Sequence, residues 1–69
     1  MREITDVKEN MFYGLKQFKM PKEEAAAMAV YLNEENQMQM IKFLASHPKA
    51  VYQEIMNEFG RLLKEQNQM

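Results

Sequence analysis

Sixty-nine residues without cysteine, with nine Lys and Arg against ten Asp and Glu and 46% hydrophobic residues, describe one small domain held by packing alone. Disulfides and thiolate metal sites are excluded, and a net charge of −1 exerts no global pull toward nucleic acid or an anionic membrane. A chain this short buries only about 60% of the surface it exposes when unfolded, so association with a second chain is expected from the outset.

The longest unbroken apolar run, Ala25 to Leu32, falls short of the roughly 20 residues that span a bilayer. The amino terminus, Met1-Arg2-Glu3-Ile4-Thr5-Asp6, has mixed charge and lacks the apolar block of a secretory signal, which makes the cytoplasm the expected location.

Few β-branched residues and an abundance of Met, Glu, Lys, Gln, Leu and Ala favour helix throughout. Ile4, Val7, Met11, Phe12, Leu15 and Phe18 recur three and four apart and predict a first helix over about 5–19. Asp6 and Glu9 have the spacing of a capping box, and Gly14 interrupts the pattern at a cost of about 1 kcal/mol relative to alanine. Met20-Pro21 breaks the chain, because the residue before proline is pushed out of the α region while proline suits a first helical turn. A second helix over 21–32 follows, with Glu23 and Glu24 complementing its dipole and Ala25, Met28, Ala29 and Leu32 forming a stripe of mostly small residues.

At about 100° per residue, that stripe and the next one (Met38, Met40, Ile41, Leu44, Ala45) point roughly 150° apart. One straight helix would bury opposite faces, so a turn is expected between Leu32 and Asn36, with Asn33 ending one helix or capping the next. The competing arrangement is an unbroken helix between two partners. A third helix spans 35–46 and stops at Ser46-His47-Pro48, where Ser46 or His47 is placed to cap a fourth over 48–65. That last segment carries the clearest stripe, Val51, Tyr52, Ile55, Met56, Phe59, Leu62 and Leu63, and the polar residues 66–69 are expected to fray. The predicted architecture is an all-α bundle of three to four short helices forming a single domain over 1–69.

Chemistry finds little to work with. One Ser (Ser46), one Thr (Thr5), one His (His47) and one Asp (Asp6) leave no redundancy for a catalytic relay, and a serine cap beside an exposed histidine accounts for Ser46 and His47. Gly14 and Gly60 are too far apart to build a phosphate-cradling loop. Glu54 and Glu58 share a helix face, but helical di-metal sites need a Glu-x-x-His pair from each of two helices. No enzyme and no cofactor are expected. Lys16, Lys19 and Lys22 form a local positive stretch that a solvated helix end explains.

The segment from Ile41 to Gly60 is an apolar helix, a proline-containing turn and a Tyr-x-Glu-Ile-x-x-x-Phe-Gly helix. It resembles the first half of helix-turn-helix and winged-helix DNA-binding units. The resemblance implies a turn after Gly60 and a recognition helix beyond it, and as the alternative function a small DNA-binding regulator using residues 41–64, with Lys49, Arg61 and Lys64 as nucleic-acid contacts. Glu65 and Gln68 stand where such a helix carries apolar residues, and Met56 stands where a small residue lets the two helices cross.

Eight methionines, four phenylalanines and three tyrosines are more apolar material than so small a monomer easily hides. The leading expectation is therefore a non-enzymatic protein-interaction or regulatory module that self-associates, as a dimer, through a Met- and aromatic-bearing helical face, or that binds another protein there. Phe12, Tyr13, Met38, Met40, Phe43, Tyr52 and Met56 are its candidate contact residues, some of which must serve the monomer's own core. Met28, Met38 and Met40 are placed to line a groove at the expected turn.

Overall fold

The spacing of apolar side chains resolves into four helices in a computed structural model that describes residues 7–67: α1 (Val7–Lys16), α2 (Lys22–Tyr31), α3 (Glu34–Ser46) and α4 (Tyr52–Gln66). The all-α bundle expected from the sequence is the observed fold, and its helix count is the upper of the two expected. α1 lies against both α2 and α3, and α4 packs on α3. The Asp6 cap expected for the first helix lies outside the described residues.

The boundaries show what the chain does between helices. α1 stops at Lys16 rather than Lys19 because it closes in a Schellman turn. Lys19 N donates to Lys16 O at 3.0 Å and Met20 N to Leu15 O at 3.4 Å, with Lys19 itself left-handed at φ 66°. Leu15 and Met20, the two residues such a turn brings together, are both buried. Pro21 then caps α2 from outside its first turn, with φ −55° and ψ 142°, and its carbonyl accepts the first bond, from Ala25 N.

The turn expected between Leu32 and Asn36 is present and short. Leu32 and Asn33 are extended, and the Asn33 side chain accepts from Asn36 N at 2.9 Å, so Asn33 caps α3 and excludes an unbroken helix. The fourth helix starts later than expected, at Tyr52 rather than residue 48. Pro48 occupies the second position of a β-turn closed by Ala50 N donating to His47 O at 3.0 Å, not a first helical turn. Neither Ser46 nor His47 caps α4. Val51 is the N-cap residue, and its N–H donates to the Glu54 carboxylate at 3.1 Å, the half of a capping box that needs no side-chain oxygen at the cap.

The core gathers Met11 and Leu15 from α1, Ala25, Met28 and Ala29 from α2, Met40 and Leu44 from α3, and Ile55 and Leu62 from α4, with Met20 and Leu32 from the connections. Two amides are buried among them, and both are satisfied. Gln37 Nε2 donates to Ala29 O and Leu32 O, closing the carboxyl end of α2. Asn36 Nδ2 donates to Leu62 O at 3.2 Å and to Gln66 Oε1 at 2.9 Å. Gln66 also accepts from Asn33 N at 3.0 Å, so the fraying expected from residue 66 onward does not include Gln66 itself: its amide ties α4 to the α2–α3 turn.

Candidate functional site

α2 is the anomaly of the bundle. Its run Ala25-Ala26-Ala27-Met28-Ala29-Val30-Tyr31 is apolar all the way round, whereas a helix with one face in water ordinarily keeps that face polar. Ala25, Met28 and Ala29 point into the core, which leaves Ala26, Ala27, Val30 and Tyr31 exposed on the outer face. Open apolar grooves flank it. On the α1 side, Phe12, Tyr13, Ala26, Ala29 and Val30 line a groove of about 330 Å³ rimmed by Lys8 and Glu9. Toward α4, Ala27, Met28, Tyr31, Tyr52, Met56 and Phe59 line one of about 200 Å³.

The three tyrosines of the chain line these two grooves, Tyr13 the first and Tyr31 and Tyr52 the second. Tyr13 is 55% exposed, Tyr31 62%, Tyr52 48% and Val30 63%. Their neighbours hold them in place. Phe12 meets Tyr13 edge to face at 5.2 Å between centroids, and the Lys16 ammonium stands 5.7 Å over the Phe12 ring. The Tyr52 hydroxyl donates to Glu24 at 2.7 Å, joining α4 to the first turn of α2 across the groove. That bond to Glu24 raises the Tyr52 pKa above the usual tyrosine value, helped by desolvation and by the carboxylate's charge.

The candidates from the sequence divide. Phe12, Tyr13, Tyr52 and Met56 line the two grooves beside α2. Met40 leaves the list, because it is fully buried in the monomer's core. Met38 is 45% exposed on α3 and lines neither groove, and with Met28 and Met40 both in the core the methionine groove expected at the α2–α3 turn does not form. Phe43 is half-buried, stacked on His47 at 4.4 Å, and belongs to a different recess with Glu54, Glu58 and Arg61.

The helix-turn-helix resemblance ends at Gly60. α4 runs straight through that residue to Gln66, so the described residues contain neither the turn nor the separate recognition helix that the resemblance implies. Arg61 is held by its own helix, with Nε and Nη2 donating to both oxygens of Glu58 at 3.1 and 2.6 Å and Nη1 3.9 Å from Glu65. Lys49 is exposed in the turn after α3 and Lys64 on α4. Among the described residues no helix is long and apolar enough to cross a membrane, and no group of three metal-ligating side chains assembles.

Ala26, Val30 and Tyr31 line the same grooves and are missing from the sequence-derived candidates. The signal is the length of the apolar run Ala25 to Leu32: eight consecutive positions pass twice around a helix, so they cannot all face one core. Comparison of the chain with protein-family models, with curated proteins and with solved structures matches none of them.

Proposed function

We propose that this protein is a non-enzymatic protein-interaction module that self-associates through the outer face of α2 and the aromatic side chains beside it. The carrying observation is the run Ala25 to Tyr31, apolar on every side of α2 with only one side buried. The mechanism is burial of apolar surface at a helix–helix interface, with Tyr13, Tyr31 and Tyr52 contributing large amphipathic contacts whose hydroxyls stay at the rim. A second chain also supplies the core that so short a domain lacks, which makes the assembly more stable than the monomer.

Sedimentation velocity over a concentration series tests this reading, with wild type beside Val30→Glu. Glutamate is a good helix former at an exposed position, so the variant keeps its helical circular dichroism. Wild type sedimenting as a dimer at concentrations where Val30→Glu is monomeric supports the proposal. A wild type that stays monomeric throughout the series removes it.

A further inference from the structure

The proposed self-association leaves open how two copies meet, and the residues of α2 answer that. We infer that the occupant of the outer α2 face is the α2 of a second copy, running antiparallel to the first about a two-fold axis between Ala26 and Ala27.

The size of the face fits a second copy. With a tyrosine presenting about 200 Å² of surface, the three exposed tyrosines, Val30, the two alanines and the partly buried Phe12, Met56 and Phe59 amount to about 500–700 Å². Each partner in a standard-sized interface contributes about 800 Å², so this face supplies most of one side.

Charge and shape set the direction. α2 spans Lys22–Tyr31, with its ionic residues, Lys22, Glu23 and Glu24, all in the first turn and its bulky exposed apolar residues, Val30 and Tyr31, in the last. A parallel arrangement would set Glu23 on Glu23, adding repulsion to aligned helix dipoles. Antiparallel about the helix centre, Glu23 meets the partner's Val30, which lies on the same side of α2. The glutamate stem then covers the valine. At the axis itself stand the two smallest exposed side chains, Ala26 and Ala27, so the backbones approach most closely where the helices cross.

The inference rests on the self-association reading, and cysteine cross-linking separates the two because the native chain has no cysteine to interfere. Single variants Ala27→Cys and Glu23→Cys are oxidised by copper-catalysed air and resolved without reductant, with Ala45→Cys on α3 as an exposed control. In the antiparallel pair the two residues at 27 lie beside the axis and cross-link. The two residues at 23 sit about 10 Å apart along the helices, beyond the roughly 7 Å a disulfide spans. The expected result is a covalent dimer for Ala27→Cys, at least tenfold above the Ala45→Cys control, and control-level yield for Glu23→Cys. A strong Glu23→Cys dimer overturns the antiparallel direction. Control-level yield for both variants, in a protein that still sediments as a dimer, overturns this face while leaving self-association standing. A monomer in sedimentation overturns both.

Discussion

Gln66 Nε2, on the last residue of α4, donates to the carbonyl oxygen of Tyr31 at 2.8 Å, closing the end of a helix 35 residues earlier in the chain. The same amide's oxygen accepts from Asn33 N and Asn36 Nδ2, so one side chain joins α2, the α2–α3 turn and α4. α2 ends without glycine, and the carbonyls of Ala29, Tyr31 and Leu32 accept from outside, from Gln37 and Gln66.

Gln66→Ala is therefore expected to destabilise the fold by about 1–2 kcal/mol, and Gln37→Leu by about 1–3 kcal/mol, since the latter strands two buried carbonyls. Urea unfolding at a fixed protein concentration measures both. A neutral Gln66→Ala would mean that the last turn of α4 carries no tertiary load.

The two glycines respond differently to alanine. Gly60 lies inside α4, and a Cβ placed there meets nothing within 4 Å, so Gly60→Ala is expected to stabilise by about 0.5–1 kcal/mol through helix propensity alone. At Gly14 the added Cβ comes to 3.4 Å from Leu44 Cδ1, where α1 crosses α3, and the gain is expected to be smaller. Thermal melts of both variants check the order, and a destabilised Gly60→Ala contradicts it.

Lys19 sits at φ 66°, where a β-carbon costs roughly 1 kcal/mol and glycine costs nothing. Lys19→Gly should raise stability by up to about 1 kcal/mol, less the extra freedom it gives the unfolded chain. The check is a shifted denaturation midpoint with an unchanged slope.

Tyr52 supplies a pH dependence. Its pKa is raised in the fold by the hydrogen bond to Glu24, so between the ordinary tyrosine pKa of about 10 and the folded value the native state holds more protons than the unfolded one. The contribution of that bond is fully present below the ordinary pKa and is lost as pH rises through the folded one. Tyrosinate absorbance should show a late-titrating component that disappears in both Tyr52→Phe and Glu24→Gln, and its persistence in Glu24→Gln would dismiss the bond as its cause.

Signals confined to neighbouring residues were legible in the sequence, and those spread across it were not. The break at Asn33 could be read because the apolar stripe changes phase there and a short amide caps the next helix locally. Pro48 could be read as a stop but not as the second residue of a β-turn, which moved the start of α4 to Tyr52. Lys19 gave no sign of a left-handed backbone, since glycine or asparagine is the usual marker. Gln37 and Gln66 were indistinguishable from solvated glutamines, because their partners lie on other helices. The exposed half of α2 is carried by the apolar run Ala25 to Leu32, which is too short for a membrane and too long for one face of a helix.

Four of the methionines, Met11, Met20, Met28 and Met40, are shielded in the core, while Met38 lies open on α3. A thioether reacts with peroxide only when the oxidant can reach it. Met38 thus oxidises at the pace of the solvent, and the four inner sulfurs oxidise only in molecules that have opened. The interior carries its own set of chemical clocks, each timing how often its corner of the fold comes apart.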